Sequence, residues 1–134
     1  MDMKEIEGIL KEGHTVAVVG LSPKPDRPSY AVAQYLQSQG YRIVPINPNA
    51  QEILGEKAYP ALLSVPEKVD IVDIFRRPDE VPPVVDEAIG IGAKVVWMQE
   101  GIVHDGAARR AREAGLKVVM NRCMKKEHQR LQSE

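Results

Sequence analysis

The chain has almost no cysteine: Cys123 stands alone among 134 residues. An intramolecular disulfide is therefore excluded, and so is a multi-cysteine zinc site. Aromatic residues make up only 4%, which leaves the core to aliphatic side chains. No excess of one charge exists either, since eighteen basic residues face nineteen acidic ones for a formal net charge of −1. Such a balance gives no general electrostatic attraction to nucleic acid or to an anionic membrane. No apolar run approaches the ~18 residues that a membrane span requires. The first residues, Met1-Asp2-Met3-Lys4-Glu5, are charged and hold no export-signal core, so a cytoplasmic protein is expected. What is present is globular: 43% apolar and 28% charged residues, in a length suited to one domain over residues 1–134. Ten prolines stiffen the loops.

One unit recurs along the chain: a short β-branched run, a loop, then a helical pattern. The strand-like runs are Thr15 to Val19, Arg42 to Ile46, Val69 to Ile74, Lys94 to Met98 and Lys117 to Met120. Most are too continuously apolar for a sheet with one wet face, and fit parallel strands covered on both sides. A weaker run at Lys57-Ala58-Tyr59, stopped by Pro60, suits a short edge strand. Between the runs lie helical stripes. Met3, Ile6, Ile9 and Leu10 form one, with a capping box of Asp2 and Glu5 and a stop at Gly13. Val32, Tyr35 and Leu36 form the next, with Ser29 as its expected N-cap and Gly40 as its stop. Val84, Val85, Ala88 and Ile89 form a third, with Pro82 and Pro83 fitting only a first turn. Ala107, Ala111 and Ala114 line a fourth that Gly115 ends, and a basic helix from Met124 to about Leu131 follows. Strands alternating with helices predict an α/β fold, a doubly wound and mostly parallel sheet.

In such a sheet ligands sit outside the carboxyl ends of the strands, so the segments that follow strands hold the candidate residues. The first runs from Gly20 and Leu21 through Ser22, Lys24 and Arg27 to Ser29. It occupies the place of a G-x-G-x-x-G turn, yet Gly20 is its only glycine, and no Walker pattern appears. Its cations and hydroxyls suit phosphate; a proline-stiffened turn with solvated charges is the plainer alternative. The second strand leads to Asn47-Pro48, where an NAD site would want a carboxylate, although Asn and Pro are also ordinary turn residues. Phe75-Arg76-Arg77 sets two guanidinium groups beside the only phenylalanine, which suits a phosphate and a planar base. Asp79 and Glu80 are the competing partners for those arginines.

Gln99-Glu100-Gly101 follows the only tryptophan, and Glu100 is the one carboxylate placed to act as a general base. Asn121-Arg122-Cys123 sets a thiol near Lys125 and Lys126, surroundings that favour a thiolate, while a small buried hydrophobe is the commoner role of a lone cysteine. His14, His104 and His128 are scattered, at no metal-ligand spacing, and no serine lies on a nucleophile elbow. No catalytic constellation emerges. Cations at strand ends in a slightly acidic chain favour a small anionic ligand over a reaction.

Taken in order, these stretches resemble the stand-alone CoA-binding proteins, relatives of the N-terminal domain of the succinyl-CoA synthetase α subunit. The resemblance lies in Val18-Val19-Gly20-Leu21-Ser22, Arg27-Pro28-Ser29, Gly40 to Pro48, Val72-Asp73-Ile74-Phe75-Arg76, Val96 to Ile102 and Asn121-Arg122-Cys123. It implies a Rossmann-like sheet of order 3-2-1-4-5-6, with the Tyr59 run as edge strand three, and coenzyme A (CoA) or an acyl-CoA across its carboxyl edge. By that similarity Ser22 to Ser29 would meet phosphates and Asn47-Pro48 the nucleotide. Phe75-Arg76-Arg77 would flank adenine or a phosphate, and the Gln99-Glu100-Gly101 and Asn121-Arg122-Cys123 turns would line the pantetheine end.

The synthetase's glycine-rich first loop is replaced here by a Pro/Lys/Arg loop, and its histidine-bearing second domain and partner subunit have no counterpart, so ligase activity is not implied. The alternatives are an NAD(P)-type nucleotide-binding protein, an enzyme acting on CoA thioesters, and a module that uses this edge to dock a protein partner or a second copy.

Overall fold

The computed structural model describes residues 2–133. Five strands form one parallel sheet: β1 (Thr15–Val19), β2 (Arg42–Ile46), β5 (Ile71–Ile74), β6 (Val95–Met98) and β7 (Lys117–Val119). Their order is β2-β1-β5-β6-β7, and two-residue strands β3 (Glu52–Ile53) and β4 (Glu56–Lys57) make a separate antiparallel hairpin. The helices are α1 (Met3–Glu12), α2 (Pro28–Ser38), α3 (Val81–Gly90), α4 (Asp105–Glu113) and α5 (Met124–Gln132). The chain is thus a Rossmann-like α/β domain, with β2-β1-β5-β6-β7 standing for positions 2-1-4-5-6 of the expected order. Position three shrinks to a single parallel bridge between Ile46 and Tyr59. Tyr59 donates its N–H to the Pro45 carbonyl and accepts from Asn47 N, and Pro60, which has no N–H to give, ends the pairing there.

Strand alternation divides the core in two. Ala17, Val19, Val72, Ile74, Val96 and Met98 face α3 and α4, while Val16, Val18, Ile71, Val95 and Trp97 face α1, α2 and α5. Each helix supplies the matching stripe: Ile6, Ile9 and Leu10 on α1, and Ala107, Ala108 and Ala111 on α4. The alanines let α4 lie close to the sheet and to α3, where bulkier side chains would hold it off.

The helix boundaries follow local chemistry. Asp2 caps α1, its carboxylate accepting from Glu5 N at 2.9 Å. Pro82 and Pro83 do sit in the first turn of α3, where their missing N–H groups are not needed. Ser29 is not the N-cap of α2. That position belongs to Arg27, because Pro28 with its fixed φ starts the helix two residues early. Ala114 likewise falls just past α4 as its C-cap. The cap of α4 at its other end is His104, whose Nδ1 accepts from Ala107 N at 3.0 Å. Among the described residues no helix is long and apolar enough to cross a membrane.

Candidate functional site

The loop from Gly20 to Ser29 is held by its own polar groups. Gly20 has φ +86°, and a Cβ on it would lie 2.2 Å from the Phe75 carbonyl oxygen. Only glycine permits β1 and β5 to exit the sheet this close together. Ser22 N donates to Ser29 Oγ (3.0 Å), and Lys24 N donates to Ser22 Oγ (3.1 Å). Leu21 is fully buried, and Asn47 Nδ2 donates to its carbonyl at 3.0 Å, tying the end of β2 to the first loop. Asn47 Oδ1 also accepts from Asn49 N, and Pro48 is exposed at the tip of that turn.

These contacts shape an open cleft of about 600 Å³ at the carboxyl edge. Gly20, Ser22, Lys24, Arg27 and Ser29 line one side, and Phe75, Arg76 and Arg77 the other. Pro28, Pro78, Glu80 and Ile102 complete it. Among the described residues Lys24, Arg27 and Arg76 form no ion pair, whereas Arg77 lies 3.5 Å from Asp79 and 3.3 Å from Glu80. All three members of that last group are well exposed, so water screens the pairing. The first turn of α2 opens on the cleft, and its partial positive charge adds to the cations. The arrangement can hold an anion with several phosphate-like oxygens, beside the half-buried Phe75 ring.

A second set of expected residues lies outside this cleft. Trp97 Nε1 donates to the Arg122 carbonyl (2.8 Å), and Gly101 N donates to Asn121 Oδ1 (2.7 Å). Gln99 is buried, its Oε1 accepting from Met124 N at 3.1 Å. Glu100 accepts two hydrogen bonds from Lys126 Nζ, at 2.9 and 3.1 Å, and this contact raises the ammonium's proton affinity above the ordinary lysine value. Glu100 is thus an exposed, ion-paired carboxylate. Arg122 is 3.5 Å from Glu127. Cys123 is buried in the apolar layer that contains Trp97 and Met124. The turns after β6 and β7 are therefore locked to each other. Ile102 alone of this region reaches the cleft, through a turn in which its N–H donates to the Gln99 carbonyl.

Two features escaped sequence reasoning. Pro78 and Ile102 join the cleft without any charge or hydroxyl to mark them. Asp73, in the middle of β5, is fully buried with both carboxyl oxygens unpartnered, and burial raises its pKa well above the ordinary carboxylate value. A carboxylate inside an apolar run was the available signal. No group of three or more metal-ligating side chains exists among the described residues.

The opposite edge of the sheet carries another cleft, of about 490 Å³. Helices α1, α3 and α4 end beside it, at Gly13, Gly92 and Gly115, so carbonyl ends converge there and disfavour an anion. Lys94 at its rim lies 3.7 Å from Asp70, whose other oxygen accepts from His14 N and Thr15 N. The carboxyl edge is the better anion site.

Comparison with known proteins places this geometry in context. The sequence profile of a family described as the CoA binding domain matches residues 14–129. An uncharacterized protein, YneT, of Bacillus subtilis (strain 168) is 41% identical over 92% of this chain and 92% of its own length. An ADP-forming acetate–CoA ligase II of Archaeoglobus fulgidus is 35% identical over 69% of the chain, a stretch that makes up 14% of the ligase. Among solved structures, a hypothetical protein from Pyrococcus horikoshii OT3 superposes with a TM-score of 0.95 at 43% identity, covering 98% of this chain and 93% of that one.

Proposed function

The chain belongs to the CoA-binding domain family, and from that premise we propose that it holds coenzyme A, or an acyl-CoA, at the carboxyl edge of its sheet. The observation that carries the reading is the cleft between Ser22–Ser29 and Phe75–Arg77, in which Lys24, Arg27 and Arg76 have no carboxylate partner among the described residues. A CoA molecule bears a pyrophosphate, a 3′-phosphate and an adenine. Three unpaired cations, the first turn of α2 and one aromatic ring supply partners for those groups. The locked turns at Gln99–Gly101 and Asn121–Cys123 lie further along the same edge, where the pantetheine arm would run. The ligases matched here are far longer than this chain, and their reaction is not part of the reading. A binding module without catalysis of its own is the function that fits, in keeping with the ion-paired state of Glu100 and the burial of Cys123.

Calorimetric titration tests this. CoA binds more tightly than dephospho-CoA, and both more tightly than NAD, because the end of β2 offers Asn47 where an NAD ribose needs a carboxylate. Tighter binding of NAD would remove the assignment. Arg76→Ala and Lys24→Ala each weaken CoA by about 1.5–3 kcal/mol, the worth of a hydrogen bond to a charged group. Their unfolding midpoints stay near wild type, since neither side chain holds another part of the fold. Unaltered titration curves in both variants would show that the phosphates lie elsewhere.

A further inference from the structure

The central strand carries a carboxyl group with nothing to hold it. Asp73 is fully buried and neither of its oxygens has a hydrogen-bond partner. The register sets it between Val18 of β1 and Trp97 of β6, on the face covered by α1, α2 and α5. Two residues further along, β5 reaches Phe75 and β1 reaches Gly20, both of which line the cleft. A step of two residues along a strand is about 7 Å. The carboxyl therefore lies one row of side chains beneath the cleft floor.

No charge in this layer compensates it. The buried titratable groups from the packed elements are Tyr41, Cys123, Glu127 and His128. Tyr41 donates to the Leu10 carbonyl, Glu127 pairs with Arg122 and Arg130, and the Tyr35 hydroxyl lies 2.7 Å from His128 Nδ1. None of them bonds Asp73. Val18 and Trp97 flank it in the neighbouring strands, and the layer over them is apolar, with Ile6, Ile9, Val32 and Ala33; Tyr30 and Tyr35 of α2 pack against it partly buried. An unpaired carboxyl in such a layer resides there as the uncharged acid.

We propose that Asp73 sets an alkaline limit to anion binding in the cleft above it. Uncharged, it leaves the attraction of Lys24, Arg27 and Arg76 whole; ionised, it places a negative charge behind the bound phosphates. The proposal rests on the reading of the cleft as a CoA site. At a separation of about 10 Å and an effective dielectric constant of about 20, the repulsion weakens a singly charged ligand roughly tenfold. By linkage the bound anion also makes Asp73 hold its proton more firmly, so binding at alkaline pH takes up protons at this residue.

The test is a calorimetric titration of CoA into wild type and Asp73→Asn between about pH 6 and about pH 9.5, in buffers of differing ionisation enthalpy. Asparagine keeps the size of the side chain and cannot ionise. Wild-type affinity falls further than that of the variant as Asp73 ionises on the alkaline side, by roughly tenfold or more for a ligand with several charges. The Asp73-dependent proton uptake appears in wild type only. Lysine titration and ligand ionisation are common to both proteins and cancel in the comparison. Parallel affinity curves with equal proton uptake overturn this role for Asp73 and leave the CoA site standing. Absence of CoA binding in both proteins at every pH overturns the site and the role together.

Discussion

Asp73→Asn raises the free energy of unfolding at pH 7, and the gain grows as the pH rises. The folded protein keeps the carboxyl protonated because burial penalises its charge, while the unfolded chain loses that proton above about pH 3.9. Below that value both states hold the proton and the carboxyl adds no pH dependence. Above it, folding must first reprotonate the side chain, at about 1.4 kcal/mol for each pH unit. Stability contributed by this position is therefore greatest in acid, and it falls with rising pH until the folded-state value is reached. Asparagine has no such slope. His128 acts in the opposite sense: burial lowers its pKa, so stability falls as the pH drops from about 6.5 toward the folded-state value. That contribution is shared by both proteins and drops out of their difference. Urea unfolding of the two, from acid to neutral pH, gives curves that diverge steadily. Curves that stay parallel would mean that Asp73 is charged in the folded protein.

Gly20→Ala removes about 3 kcal/mol or more of stability. The added methyl would stand 2.2 Å from the Phe75 carbonyl oxygen, and that obstacle is backbone. Neither side can yield cheaply. Gly20 N donates to the Ile46 carbonyl, and Phe75 N donates to the Val19 carbonyl, so both exits are pinned by the ladder. The φ of +86° adds the ordinary left-handed penalty of about 1–2 kcal/mol for an L side chain. Gly40→Ala is the control, with φ +95° and no atom within 4 Å of the new methyl. It bears the conformational penalty alone. Equal shifts of the urea midpoint in the two variants would show that the close approach of β1 and β5 carries no energy.

The alternation of β-branched runs with glycine-stopped stripes made the sheet, its parallel sense and all five helices legible, because each signal is local. Ser29 shows where locality fails. Its hydroxyl suits a cap, but Pro28 is the better first helical residue, and the hydroxyl turns to Ser22 N across the loop. Asn47 looked like a turn residue and is one, yet its second bond, to the Leu21 carbonyl, joins segments 26 positions apart. The cations of the cleft could be read off strand ends. Which of them lack carboxylates could not, since Arg77 and Arg76 are neighbours in sequence and only Arg77 meets Asp79 and Glu80. Cys123 sits among basic residues along the chain but buries itself against an apolar layer.

The bond from Trp97 Nε1 to the Arg122 carbonyl gives the molecule an optical gauge. The indole is the chain's only one, fully buried in the row beside Asp73, and hydrogen-bonded to the turn after β7. Its fluorescence therefore reports one place. Emission in the folded protein lies at short wavelength and resists quenching by acrylamide, and both properties vanish together when β6 and β7 separate. Opening of that end of the sheet alone registers as quencher access before the helical circular dichroism changes. Simultaneous loss of the two signals would mean that the strand ends open only with the whole domain.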